Sequence, residues 1–579
     1  MARGRVRTGW AVVVMALALA GGWRQAGAAS GGLASITPAE LKTWLTYIAS
    51  DDLQGRAVFS AGIGLAAGYI EDQLKTFGAR PAGDHGSYLQ TVRVLGVKTT
   101  SHSSVRVDID GESRTFEDGH GITLPRNMGG AQHLTLRQIE FAGYGLDAPL
   151  ASHTDYAGRN VKGSVVVWLG ASGPSGLDPG EYRRALSGRN RYATEQLGAA
   201  AAIGVAVAGF GAGRAAAGEP AASVAAGEAA GAGRGGRGGA IPTPDFTTVQ
   251  RLDTPMPPNV SATDAFFEFL FKNAPAQYDE LKKKAAAREA LPSFSLKGVT
   301  ITFNIEPEYQ VVRTQLTHNV VAMVEGSDPR LKNTYVAFGA HYDHVGYAEG
   351  EVSTSDGNAR RTAPPGRVTA GAEQDRIWNG ADDDGSGTVA ILALAKAFAE
   401  GPRTRRSTLF VWHVGEERGL WGSRYFADYP TVPMDQIVTQ LNIDMIGRNR
   451  DDKASESNTV YLVGSDRISS ELHAINHAAN AAMARPMMLD YEYNDPSDLE
   501  QLYYRSDHYS YAAKGVPIIF FTTGLHADYH ANTDEVSKIE FEKMARITQM
   551  VYETGVRVAN LDHAPAHDNQ GPRAGRGTK

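Results

Sequence analysis

Five short stretches of the chain concentrate carboxylates and imidazoles: HYDH at 341–344, NGADDDGSG at 379–387, GEERG at 415–419, NIDMIG at 442–447 and DYHANTDE at 528–535. The second is the most demanding. Adjacent Asp residues repel one another and form neither helix nor strand well. Three in a row followed by Gly-Ser-Gly imply a positive charge for them to meet. Asp444, between Ile443 and Met445, is set for burial, and a carboxylate buried without a partner is costly. Each stretch alone is ordinary, since a lone His at a strand end is often structural and a Glu pair often a solvated turn. Together they offer candidate metal ligands.

The elements that must position them are legible around the motifs. TYVAFGAHYDH is an apolar strand ending in polar residues, and TVAILALAKAFAEG is a helix closed by Gly401. STLFVWHVGEE, TQLNIDMIG and VPIIFFTTG are further strands with charged, small or Gly-rich ends. That alternation predicts an α/β domain with a largely parallel sheet over about 313–562. Functional groups then collect beyond the carboxyl ends of the strands.

Upstream, Thr37, Pro38 and Glu40 mark a capped helix start with a capping box, and AAGYIEDQLKTFG is a second helix stopping at Gly78. From 99 to 312 the pattern changes to short β-like runs (VRVDID, LTLRQIEFAGYG, GSVVVWLG), then the helical stretch AFFEFLFKNAPAQYDELKKKAAAREA and the strand VTITFNI. Inside it, 211–240 is almost all Ala and Gly and has little side-chain area to bury, so a mobile excursion is expected there. The polar tail from 563 to 579 is expected to be disordered.

With 579 residues the chain supports a large core, and a net charge of -7 gives no sign of nucleic-acid binding. Arg3, Arg5 and Arg7 precede the short apolar run WAVVVMALALA and the small-x-small site Ala26-Gly27-Ala28. A signal peptide over 1–28 is expected, hence export to a bacterial periplasm or medium without stable membrane insertion after cleavage. The absence of cysteine excludes disulfides and a lipid-bearing Cys.

HYD, then NGADDDGSG opening a helix, then GEERGLWGS, NIDMIG and DYH resemble the co-catalytic di-zinc exopeptidases, which include secreted bacterial leucyl aminopeptidases and glutamate carboxypeptidase. The likeness covers 33–98 and 313–562. FAGYGLDAP and YAGRNVKGSVVVWL give the insertion a looser similarity to a protease-associated domain. The resemblance implies a three-layer α/β/α fold with a mostly parallel mixed sheet, plus a β-rich inserted domain. It implies two Zn²⁺ ions bridged by Asp383, one completed by His341 and Asp444, the other by Glu417 and His530. A set of imidazoles and carboxylates without thiolate suits Zn²⁺, with Mn²⁺ or Co²⁺ as substitutes. Asp384 falls where the family has the residue after a cis peptide bond, and Asp382 reads as a turn residue. Asp343, on the His341 face of the strand, suits a carboxylate partner that fixes the His341 tautomer, while His344 points away. Glu416 takes the place of the general base, and Tyr529 that of an oxyanion donor. Ser506-Asp507-His508 also resembles a family motif, with no ligand role.

The expected activity is removal of N-terminal residues from peptides. The alternative within the fold is a carboxypeptidase for acidic C-terminal residues, which needs Arg side chains such as Arg448, Arg450 or Arg505. A glutaminyl cyclase or a receptor-like protein fits less well, since no ligand position is missing. The long polar loop from Tyr347 to Trp378 is left open between a pocket cover and a mobile segment.

Overall fold

The computed structural model describes residues 32–205, 242–350, 352 and 364–568. The expected signal peptide, the Ala/Gly run 211–240 and part of the 347–378 loop lie outside the described residues. Among those described, no helix is long and apolar enough to cross a membrane.

Helix α1 (Pro38–Ile48) starts as the sequence requires, the Thr37 hydroxyl accepting from the Glu40 N–H at 3.3 Å. Glu40 itself turns to Lys396 instead of closing a capping box. Helix α2 (Ala61–Phe77) ends on Gly78 in the left-handed region at φ 74°. Beyond it run strands β1 (Leu89–Ser101), β2 (Pro307–Val324) and β3 (Tyr335–His341), then α3 (Gly387–Glu400), β4 (Ser407–His413), α4 (Trp421–Asp428) and β5 (Ile437–Ile443). The last elements are β6 (Thr459–Val463), α5 (Ser470–Ala481), β7 (Met488–Asp490), β8 (Ile518–Thr522) and α6 (Phe541–Ala559).

The main sheet runs β1-β2-β4-β3-β5-β8-β6-β7, with Phe246–Thr248 added at the β1 edge. β4, β3, β5 and β8 are parallel neighbours, and β2 and β6 flank them antiparallel. The parallel strands are apolar on both faces because both are covered. α1, α2, α3, α5 and α6 pack one face around Phe338, Phe398, Phe410 and Trp412. α4 and the segment around Tyr503 and Tyr511 cover the other, on Val411, Phe426 and Phe520. This is the expected three-layer α/β/α arrangement with a mixed sheet.

The inserted region forms a second ten-stranded sheet with its own core, against which Phe266, Phe267, Phe271 and Tyr278 pack. Its boundaries differ from those expected at 98/99 and 312/313. β1 and β2 pair from Leu89↔Val320 to Ser101↔Pro307, so both edges fall inside one continuous ribbon. The expected single helix after 264 is two, Asp264–Leu270 and Tyr278–Ala286. Pro275 lies between them, where a helix interior would lose a hydrogen bond and clash. The tail expected to be disordered from 563 is held as far as Asp568, whose carboxylate accepts from the Ser470 N–H at 3.1 Å.

One side chain ties the first segment of the chain to the ends of the sheet. Arg56 is fully buried at the end of a tight turn, Asp51–Arg56. Its guanidinium donates to the carbonyls of Ile48 (2.7 Å), Tyr342 (2.9 Å), Asn379 (2.6 Å) and Gly380 (2.9 Å). Burial draws it down to about 10, opposed by Asp343, Asp383, Asp384 and Asp534. It thus clamps the HYDH and NGADDDGSG loops to each other. Arg56→Met keeps the volume and removes every donor, and buried carbonyls left unpaired cost about 1–3 kcal/mol each. A loss of at least ~3 kcal/mol in urea unfolding is therefore expected.

Candidate metal centre

The four parallel strands deliver their carboxyl ends to one place. β3 ends on His341, β4 runs into Glu416 and Glu417, β5 into Asp444, and the loop after β8 brings Tyr529 and His530. Asp383 and Asp384 precede α3, joined by a cis peptide bond as the resemblance implies. Gly387 opens that helix with no room for a side chain: an added Cβ would lie 2.4 Å from the Asp384 carboxylate and 2.5 Å from the Ile443 carbonyl.

Asp383 sits at the centre with its two oxygens facing opposite groups. Oδ1 lies 3.3 Å from His341 Nε2, which is itself 3.7 Å from Asp444 Oδ2. Oδ2 lies 3.1 Å from His530 Nε2, which is 3.0 Å from Glu417 Oε2. Burial works against the Asp383 charge, but His341 and His530 overcome it and hold the carboxyl well below the usual range. Despite these short approaches, Asp383 Oδ2 and Glu417 Oε1 find no well-aligned hydrogen-bond donor among the described residues. Imidazole nitrogens and carboxylate oxygens gathered within 4.8 Å of one another are what a bound cation requires. The donor set fits a metal.

His344 corrects the expectation that it points away. Its Nδ1 lies 2.9 Å from Glu417 Oε1 and 4.0 Å from Asp383 Oδ2, and its ring is fully enclosed. Among the described residues two groups could hold an ion: His341, Asp384 and Asp444, and His344, Asp383 and Glu417. A second histidine three residues beyond His341, past the end of β3, was the available signal. It was read by strand alternation, but β3 has already ended at His341.

The surrounding carboxylates act on backbone. His341 Nδ1 donates to the Asp343 carbonyl at 3.1 Å, which leaves Nε2 for the centre. The tautomer is therefore set by that carbonyl, while the Asp343 carboxylate, 3.8 Å from Nδ1, accepts from the N–H groups of Gly415 (2.7 Å) and Glu416 (3.2 Å). Burial pushes Asp343 up to about 6. Asp384 accepts from the N–H groups of His341, Gly387 and Met445. Asp382, expected in a simple turn, is buried, accepts from the Gly447 N–H at 2.6 Å and lies 3.2 Å from His526 Nε2. Asp534 receives the Asp382 and Asp383 N–H groups. Asp534 was missed because a Thr-Asp-Glu run reads as an exposed turn, and Arg56 because a single Gly-Arg carries no pattern.

Around the centre lies a pocket. Glu416 and Asp444 line it together with Tyr529, and Met445, Leu502, Phe520 and Leu525 make its apolar wall. Burial first, then Glu417, Asp444 and Asp507, push the Glu416 carboxyl well above the usual range against the pull of His341. Ser506 donates to Asp444 Oδ2 at 2.7 Å and accepts from Asn442, so the Ser-Asp-His motif orients a centre residue. Asp507 pairs with His413 at 3.3 Å. The Tyr529 ring stacks on His530 at 4.0 Å, and its hydroxyl accepts from Arg505 at 3.1 Å. Of the three arginines considered for carboxylate recognition, Arg448 is engaged by Asp452 and Asp528, and Arg450 by Glu492. Arg505 reaches the pocket.

The chain is 27% identical to a probable leucine aminopeptidase 2 of Aspergillus oryzae over 251 residues, 39% of this chain and 41% of the relative. It is 29% identical to a probable leucine aminopeptidase of Arthroderma benhamiae over 202 residues, 32% of this chain and 52% of the relative. The chain thus spans about half the length of these curated relatives. Among solved structures it is similar to an aminopeptidase from Aneurinibacillus sp. strain AM-1, with 16% identity, 93% and 97% of the two chains covered and a TM-score of 0.41. A zinc aminopeptidase from Bacillus subtilis gives 14% identity, 90% and 94% coverage and a TM-score of 0.40. Residues 319–555 match the model of peptidase family M28. The matched stretch holds His341, Asp383, Glu416, Glu417, Asp444, Tyr529 and His530.

Proposed function

We propose that the protein is an exported metallo-aminopeptidase that releases N-terminal residues from peptides, with two Zn²⁺-class ions at the centre. The observation that carries the reading is Asp383, whose two oxygens face two separate imidazole-carboxylate sets. His341 and Asp444 would hold one ion, Glu417 and His530 the other, and Asp383 both. Bound there, such ions would supply Lewis-acid chemistry, polarising a scissile carbonyl and lowering the pKa of the attacking water.

The chain's own residues do the rest. Glu416 takes a proton from the attacking water on its carboxylate and returns it to the leaving amine. The Tyr529 hydroxyl donates to the carbonyl oxygen as that oxygen gains charge. The substrate's free amine is met by Asp444 and Glu416, and its first side chain by the apolar wall of Met445, Leu502, Phe520 and Leu525. The protease-associated assignment of the insertion belongs to the same reading. A second reading, a carboxypeptidase for acidic C-termini, would draw on Arg505, which lines the pocket while paired with Glu500.

Metal analysis of the dialysed protein is expected to give about two Zn²⁺-class ions per chain. A chelator should abolish hydrolysis, and full activity of a metal-free protein would refute the assignment. Glu416→Gln should retain both ions while kcat falls at least ~10²-fold, whereas Glu417→Gln should lose metal. Reversed metal contents for the two variants would exchange their roles. A dipeptide amide should be cleaved at least ~10²-fold faster than its N-acetyl form, since acetylation leaves the acidic groups that meet the amine unpaired. Preference for an acetylated peptide with an acidic C-terminus would establish the carboxypeptidase reading instead.

A further inference from the structure

The inserted domain grips one short segment of the catalytic domain. That segment, 499–504, immediately precedes Arg505. Leu499 packs against the insertion's cluster of Tyr144, Leu146, Leu177 and Tyr182. Arg191 of the insertion donates to Gln501 Oε1 at 3.2 Å and lies over the Tyr504 ring at 4.1 Å. Arg184 Nε approaches Glu500 Oε2 at 3.3 Å. The same Glu500 oxygen accepts from Arg505 Nη1 at 2.8 Å, and Arg505 Nη2 donates to the Tyr529 hydroxyl at 3.1 Å.

We propose that Arg505 is the positioning residue for the Tyr529 hydroxyl, and that the insertion holds it in place through Arg184 and Glu500. This rests on the proposed peptide hydrolysis and on Tyr529 as its oxyanion donor. The guanidinium is planar and presents donors in a fixed fork, so fixing one arm on Glu500 fixes the direction of the other. The Tyr529 ring is already held against His530, and the remaining freedom is where its hydroxyl proton points. By donating to the phenol oxygen, Arg505 occupies a lone pair and leaves the O–H to point away from itself, into the pocket. It also withdraws electron density from that oxygen, which makes the O–H a better donor. A partly exposed ion pair such as Arg184–Glu500 is weak alone. The stacked Arg191 and the partly buried Leu499 hold the same segment, so it acts as the last link of a larger contact. The insertion therefore contributes to rate without supplying a group to the substrate.

The test is a double-mutant cycle read as kcat and KM separately on a dipeptide amide, with metal content and urea midpoint measured for every variant. Arg505→Gln is expected to lower kcat about tenfold with KM and metal content unchanged, a fraction of the ~10²-fold or more attached to an oxyanion donor. In a Tyr529→Phe background the same substitution should change kcat less than twofold, because the hydroxyl it positions is gone. Glu500→Gln, on a carboxylate 44% exposed, and Arg184→Gln should each lower kcat several-fold, and their pair no more than either alone. Arg505→Lys should recover part of the loss. An equal effect of Arg505→Gln with and without the Tyr529 hydroxyl would overturn the proposal, as would a rise in KM alone, which would mean that Arg505 binds substrate. If Tyr529→Phe leaves kcat unchanged while the enzyme is active, the relay is refuted and the hydrolase survives. If the wild-type protein cleaves no peptide, both fall.

Discussion

Negative charge confined near Asp383 is the constraint on which the rest of this structure depends. Asp383, Glu416, Glu417 and Asp444 meet three imidazoles in a largely buried region at the foot of the pocket, and a further four buried carboxylates, Asp343, Asp382, Asp384 and Asp534, stand directly behind them. Like charges at such spacings repel strongly wherever water cannot screen them. The chain answers the outer four with peptide N–H groups, from His341, Gly387, Gly415 and Gly447 among others, and with Arg56 and His526. Peptide dipoles orient a carboxylate without cancelling its charge. Orientation is thus settled by the polypeptide, while neutrality is left to whatever cation enters.

This division explains which parts were legible in the sequence. The strands and their polar ends follow from apolar runs that stop at HYDH, GEE and NID, and six of the seven residues meeting at the centre, all but His344, were given a role there from the motifs. What escaped is what depends on backbone geometry. His344 was assigned by alternation along a strand that ends three residues earlier. Asp382 and Asp534 look like turn acids until the loop they brace is folded around them. Arg56 has no pattern at all, because its four partners are carbonyls, and any residue type can supply a carbonyl.

The inserted region shows a different limit. Its strands were recognisable from β-branched runs, but its edges were placed where composition changes, and composition does not change where the sheets part. The edges expected at 98/99 and 312/313 cut β1 and β2, which form one ribbon. Local pattern reports which face of a strand is buried, and two sheets that bury the same face of one strand in succession look alike.

That ribbon has a consequence for how such a chain is assembled. Ser101 and Pro307 are partners across one rung of the ladder, so the insertion leaves and re-enters at adjacent points. A segment whose ends are already joined asks little of the host: the entropy of closing it grows only as the logarithm of its length, about 0.6 kcal/mol for each doubling. The catalytic sheet is therefore nearly indifferent to how much chain hangs from that hairpin. What makes this particular passenger more than a passenger is that it returns twice, as the strand Phe246–Thr248 laid against β1 and as the arm carrying Arg184 and Arg191. An open hairpin tolerates any cargo; these two anchor points make the choice of cargo matter.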